Sequence, residues 1–227
     1  MRPSFDAMKT EALAILDQRW GQAVIAFALI AILQLLLGSN KFLSLLNILL
    51  SGAFSLGLSY FFLRLSRQQT PLEASDVFSG FKRYGDALFA GVLIGAIVLL
   101  GVVLLIVPGI IAALALSQTY NIMNDNPNMS VPDAMRKSHE LMKGHRTDYF
   151  LFNLSFFGWA LLCILTLGLG FLILGPYIST SNAVYYNYLI AQTNQAEDVK
   201  DTEIPPTPSD FDQQFKDITA SYRNEAE

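Results

Sequence analysis

Residues 87–123 read ALFAGVLIGAIVLLGVVLLIVPGIIAALALSQTYNIM. No Asp, Glu, Lys or Arg interrupts them. The run is far longer than the roughly 20 apolar residues that carry a helix across the hydrocarbon core of a bilayer. Either it is one bent helix or it is two short crossings with a tight turn between them. Pro108-Gly109 supplies the turn signal, because proline ends or kinks a helix and glycine tolerates a reversed backbone.

The flanking charges choose between the two readings. Upstream lie Arg67, Lys82 and Arg83; downstream lie Arg136, Lys137, Lys143 and Arg146. One crossing would put these basic loops on opposite faces, against the bias of Lys and Arg toward the cytoplasm. Two crossings put both loops inside. The same parity applies to the apolar stretch 149–190, which contains Gly168-Leu169-Gly170 and Gly175-Pro176. Nearer the start, 20–38 and 42–63 are also free of charge and are joined by Gly38-Ser39-Asn40. The expectation is an all-α polytopic membrane protein of six spans: 20–38, 42–63, 87–106, 109–123, 149–168 and 171–190. Both termini are then cytoplasmic, and of the 15 Lys and Arg only Lys41 falls outside. The first run lacks a small-residue cleavage site and reads as an anchor, not a leader.

Composition agrees. Hydrophobic residues make up 52% of the 227, and charged residues 15%, against about a quarter in a soluble domain. The formal charge of −4 belongs to the end of the chain, where residues 193–227 are strongly acidic. The remainder has no basic patch of the size nucleic acid needs. The lone Cys163 lies in an apolar run and reads as a packing residue.

Three segments have helical spacing beside the spans. Met8, Ala12, Ile15, Leu16 and Trp20 form one stripe. Phe78, Phe81, Tyr84 and Leu88 form a second, after the start signal Thr70-Pro71-Leu72-Glu73. Residues 130–144 form a third, with Ser130 and Asp133 as a cap, Gly144 as a stop, and Val131, Ala134, Met135, Ser138, Leu141 and Met142 on one face. Such a helix could lie in the interface with its apolar face in the acyl boundary. Each segment precedes a pair of spans, so a threefold repeat in one orientation is one reading. Chance similarity of apolar helices is the other.

Candidate sites are few. No span interior contains an ionisable residue other than Cys and Tyr, which disfavours ion-coupled pumping. The last span is the most polar. Ser179, Thr180, Asn182 and Asn187 line a cavity there, or they bond between helices, with the neighbouring tyrosines as an interfacial belt. Gly91 and Gly95 allow close helix approach. Lys82, Arg83, Lys143 and Arg146 either touch anionic headgroups or simply hold their loops inside. His139 and His145 lack the spacing of a zinc pair. No catalytic motif, metal set or cofactor signature is present, so no catalytic, cofactor-binding or metal residue is expected, and no enzyme activity.

The tail 193–227 has a proline-rich linker and then Phe211, Phe215, Ile218 and Tyr222 on one face of a possible helix, 209–224. It docks on a protein partner or on the basic cytoplasmic loops of its own chain, or it stays disordered.

Several strings resemble a bacterial family of integral membrane proteins of unknown function, common in Gram-positive bacteria. They are Gly57-Leu58-Ser59-Tyr60-Phe61-Phe62-Leu63, Ser75-Asp76-Val77-Phe78-Ser79-Gly80-Phe81-Lys82-Arg83, Val107-Pro108-Gly109-Ile110-Ile111, Leu141-Met142-Lys143-Gly144-His145 and Leu154-Ser155-Phe156-Phe157-Gly158-Trp159. More remotely, the Pro-Gly turn and the following Leu-Met-Lys-Gly resemble the membrane region attached to some glycerophosphodiester phosphodiesterases, whose catalytic barrel is lacking here. The resemblance implies a bacterial plasma membrane and no established catalytic residues. The expected function is a non-enzymatic scaffold, assembly factor or modulator acting through membrane lipids or a protein partner. A permease or lipid transporter with a neutral polar cavity in the last two spans is the alternative.

Overall fold

The computed structural model describes residues 5–202 except 18, 39, 40 and 167, and no side chain at 41, 42, 44, 45 or 196–202. The tail helix expected at 209–224 lies outside the described residues. The chain divides into two units, Met1–Tyr188 and Leu189–Glu227. Of the second, only the C-terminal part of the last helix is described.

Among the described residues the structure is helical and contains no strand. In chain order the helices are α1 (Phe5–Asp17), α2 (Trp20–Gly38), α3 (Lys41–Ser66), a 3-10 segment (Ala74–Arg83), α4 (Tyr84–Leu104), α5 (Ile106–Leu116), α6 (Thr119–Asp125), α7 (Val131–Leu141), α8 (Arg146–Leu154), α9 (Phe157–Leu165) and α10 (Phe171–Thr202). Among the described residues five stretches are long and apolar enough to cross a membrane: Trp20–Gly38, Leu46–Ser66, Ala74–Leu104, Ile106–Asp125 and Arg146–Leu165. Residues 171–190 are not among them, because Ser179, Thr180, Asn182, Asn187 and four tyrosines dilute the apolar side chains of α10. The exterior is oily: Leu35, Val103, Leu104, Leu105 and Leu165 are all well exposed. An aqueous surface rarely carries so much contiguous apolar area, and a membrane location is compatible with it.

The long run 87–123 does divide, though not at Pro108-Gly109. The break is at Leu105, whose backbone is extended (φ −164°, ψ 142°). Pro108 lies in the first turn of α5, where a missing N–H is no loss because that turn has no acceptor for it. Gly109 serves packing: a methyl group built on Gly101 would lie 2.8 Å from Gly109 Cα, so α4 and α5 touch backbone to backbone. The second run breaks at Gly168 (φ 87°), whose N–H returns to Cys163 O at 3.0 Å. It breaks again at Ser155. There the hydroxyl bonds back to Phe152 O at 2.5 Å, and Phe156 N–H reaches Asn153 O at 3.1 Å. That tightened turn separates α8 from α9. Pro176 lies inside α10 without ending it.

Helix α3 packs against α2, the 3-10 segment, α4 and α6. Glycine makes this possible. A methyl group on Gly57 would collide with Val77 O, and one on Gly80 would meet Gly57 N at 2.8 Å. One on Gly91 would lie 3.2 Å from Gly52 Cα, whereas Gly95 has nothing within 4 Å. Small residues here bring backbones together within the chain.

Two of the expected stripes change. Residues 74–83 coil as a 3-10 helix, so Val77 and Gly80 turn toward α3. Phe81 packs on Phe54 with ring centroids 5.4 Å apart, while Phe78 is 39% exposed. Helix α7 begins as expected, with Ser130 accepting from Asp133 N–H, and Gly144 follows it at φ 79°. Its apolar face, however, is not free for lipid. Val131, Ala134, Met135 and Ser138 are buried where α7 packs on α5 and α6. Ser138 Oγ donates to Ala115 O (2.8 Å) and accepts from Gln118 N–H (3.2 Å), so it satisfies backbone groups left open at the α5–α6 junction.

Candidate functional site: a neutral polar cavity above an ion-pair clamp

Polar residues on four helices converge on one open, half-buried cavity. Ser55 and Ser59 come from α3, Ser117, Gln118, Tyr120 and Asn121 from the α5–α6 region, Tyr149 from α8, and Ser179 and Asn182 from α10. Together with Leu58, Phe62 and Ala183 they line a cavity of about 240 Å³. The junction between α5 and α6 explains why so many polar groups converge. Thr119 and Ser117 send their hydroxyls back to Leu116 O (2.8 Å) and Leu114 O (2.9 Å), and the loosened backbone presents the side chains of four nearly consecutive residues inward.

The lining is bonded to itself in part. Ser59 Oγ donates to Asn121 Oδ1, Asn121 Nδ2 to Gln118 Oε1 at 2.9 Å, and Gln118 Nε2 to Ser117 Oγ at 3.2 Å. Asn182 differs: its Oδ1 is buried and has no partner. A buried carboxamide oxygen left open costs about 1–3 kcal/mol. Among the described residues no charged side chain lines the cavity.

One turn further along α6 and α10 the chemistry becomes ionic. Arg67 makes two parallel hydrogen bonds to Asp125, 2.6 and 2.7 Å long, and a third from Nε to Asn187 Oδ1 at 3.0 Å. Tyr186 Oη donates to Asp125 Oδ2 at 2.9 Å, and Asn187 Nδ2 to Ser66 Oγ at 2.9 Å. The Asp125 carboxylate holds the Arg67 guanidinium above its ordinary value, against the burial that pulls it down. This clamp ties the ends of α3 and α6 to α10.

The residues singled out in the sequence separate accordingly. Ser179 and Asn182 line the cavity. Thr180 does not; it is fully buried with an unpartnered hydroxyl. Asn187 belongs to the clamp. Tyr185 and Tyr186 are buried in the bundle, where Tyr185 packs 5.0 Å from Tyr149 and 5.3 Å from Phe152, so they do not form an interfacial belt. Among the basic residues, Arg83 is engaged with Asp86 at 2.9 Å and with Met123 O at 2.9 Å, which ties the start of α4 to α6. Arg146 lies 3.2 Å from the His139 ring. Lys82 and Lys143 are exposed. Phe211, Phe215, Ile218 and Tyr222 lie outside the described residues. Ser55, Ser59, Ser117, Gln118, Tyr120 and Asn121 were not foreseen as lining residues; the signal was present as two adjacent polar groups, Ser55/Ser59 at helical spacing and the run 117–121.

Among the described residues no cluster of three or more His, Cys, Asp or Glu could hold a metal ion. The model of a family described as a protein of unknown function (DUF975) matches residues 1–113 and 97–193. No curated protein and no solved structure matches the chain.

Proposed function

The chain belongs to the family of unknown function DUF975, and on that premise we propose that it is a six-span protein of the bacterial plasma membrane that binds, and passes across the bilayer, a small neutral hydrogen-bonding solute. The observation that carries this reading is the cavity, whose described lining combines hydroxyl, carboxamide and apolar side chains and holds no charged one. Its volume is below the roughly 300–1,000 Å³ of drug-sized sites, which suits a solute of a few heavy atoms. Neutral walls suit a neutral solute, since a charged one would enter without a counter-charge.

Six spans with both termini inside draw support from the bonds at one end of the bundle. Arg19, before α2, donates to Gln69 O after α3 at 3.2 Å. Arg83, before α4, reaches Met123 of α6. Tyr185 of α10 reaches His145 O, before α8, at 3.4 Å. These contacts and the Arg67 clamp fit three out-and-back pairs that start and end on the basic face. The low hydropathy of α10 then has a cause: an element that lines a polar cavity trades apolar side chains for polar ones. In this arrangement the Arg67–Asp125 clamp stands between the cavity and the cytoplasm and must part for solute to pass. Lys82 and Lys143, on the same face, are available to anionic headgroups. The protein is non-enzymatic on this reading and uses no cofactor.

The test is uptake of glycerol, urea and small amides into proteoliposomes, read by vesicle swelling. The wild type should exceed protein-free vesicles for at least one solute, and Asn182→Leu should abolish the excess. If no solute enters faster, and none raises the melting temperature of the purified protein, the cavity does not serve solute passage. A membrane scaffold acting through partners would then be the better reading.

A further inference from the structure

On the outside of the bundle, α2 carries a second feature. Gln22, Ile25, Leu29, Ile32 and Leu36 recur every three or four residues and so share one face. From Ile25 to Leu36 this face forms an apolar groove of about 490 Å³, closed on one side by Phe78. Its polar surface is negligible, and Ile25, Ile32 and Leu36 are each more than half exposed. Directly below, at the start of the same helix, Arg19, Gln22 and Thr70 line a polar pocket of about 380 Å³ together with Gly21 and Leu72. The groove and the pocket are one helical turn apart on α2 and share the segment 70–78 as their other wall.

Two quantities identify the occupant. The twelve residues of helix from Ile25 to Leu36 rise about 17 Å, and the acyl chains of one leaflet fill about 15 Å of hydrocarbon core. The groove is therefore about as long as one acyl chain of a leaflet. The charge is the second: the pocket at its mouth holds the guanidinium of Arg19 and no carboxylate among its described lining residues. Arg19 is half-buried and oriented by its bond to Gln69 O. A guanidinium held there can present its remaining N–H groups to a phosphate as a fork.

We propose that this is a specific site for an anionic phospholipid of the cytoplasmic leaflet, with the headgroup phosphate on Arg19, Gln22 and Thr70 and one acyl chain along the α2 groove. The site is separate from the polar cavity. It rests on the membrane placement proposed above and not on solute passage.

The full chain, purified in mild detergent, is mixed with equal amounts of dioleoylphosphatidylglycerol and dioleoylphosphatidylcholine, and retained lipid is counted by native mass spectrometry. The anionic lipid should be retained about five-fold over the zwitterionic one, the scale of one basic side chain at an anionic surface. Arg19→Gln should bring the ratio near parity, and Arg19→Lys should keep most of it. Ile32→Trp, which fills the groove, should lower retention of both lipids. Melting temperatures show whether each variant is folded. Should Arg19→Gln misfold, Ile32→Trp and Thr70→Ala carry the test. Equal retention of the two lipids by the wild type overturns the proposal. So does an undiminished preference in folded Arg19→Gln, which would place the headgroup at other basic residues such as Lys82 or Lys143. A change in oligomeric state in Ile32→Trp, with lipid retention intact, also overturns it and makes the groove a contact between copies. These outcomes are independent of solute uptake, so either proposal can fail alone.

Discussion

Arg67 and Asp125, 58 residues apart in sequence, face each other as guanidinium and carboxylate through two parallel hydrogen bonds. Their side chains are 33% and 22% exposed, too shielded for the negligible value of a surface pair and too wet for the full value of a buried one. A double-mutant cycle with Arg67→Gln and Asp125→Asn, read by thermal unfolding in detergent, should give a coupling of about 1–2 kcal/mol. The Arg67 contribution has a definite pH sign. The bonds to Asp125 raise its folded value above the ordinary arginine value, so the contribution is fully present below that ordinary value and is lost only as pH rises through the folded one. The loss caused by Arg67→Gln should therefore be the same at roughly pH 7 and pH 9 as far as Arg67 titration governs it.

Close approach of α3 to the 3-10 segment makes Gly57 intolerant. The methyl group of Gly57→Ala would meet Val77 O within the packed interior, and relief requires two backbones to part. Overpacking of this kind costs about 3 kcal/mol or more. Gly95→Ala is the control: no atom lies within 4 Å, and alanine is the better helix former by roughly 1 kcal/mol. Unfolding curves of the two variants should move in opposite directions.

Ser138 joins α7 to the α5–α6 junction through one donated and one accepted bond to backbone groups. Ser138→Ala leaves both buried groups open and should destabilise by about 1–3 kcal/mol. Hydrogen exchange is the sharper measurement, since the Gln118 amide should lose protection before the amides of α3.

At the start of α7 the Ser130 hydroxyl, and after it Arg136, hold the Asp133 carboxyl below its usual value of 3.8. The group titrates at a lower pH when folded, so its contribution is present above 3.8 and is lost as pH falls through the folded value. Ser130→Ala should return the Asp133 titration toward 3.8, followed by carboxyl carbon NMR. An unchanged titration would mean that Arg136 alone sets it.

Much of the helical layout was legible. Apolar runs locate the long helices because every backbone group in hydrocarbon must bond within its own segment. The cap at Ser130, the stop at Gly144 and the reversal at Gly168 follow from local chemistry that needs no partner. The break at Leu105 was not legible. Leu105 has no turn signature, and Pro108, which has one, is equally at home in the first turn of a helix. The 3-10 coiling of 74–83 was hidden for a related reason: phenylalanine spacing fits either helix, and only the collision-free approach of Gly57 to Val77 and Gly80 selects the tighter one.

The sequence by itself determined the medium in which this chain is comfortable, because transfer energies add residue by residue along an uncharged run. It also marked α10 as the unusually polar helix. Which polar groups meet was decided only by the tertiary structure. Ser179 and Asn182 share a cavity with Ser59 and Asn121 because of how whole helices pack, which no one helix fixes by itself; the close approaches at Gly52, Gly57, Gly80 and Gly91 set part of that packing, between α3, the 3-10 segment and α4. Neighbouring residues on one helix face in different directions. A single sequence cannot therefore show that Asn182 lines a cavity while Asn187, five residues on, closes a clamp with Arg67.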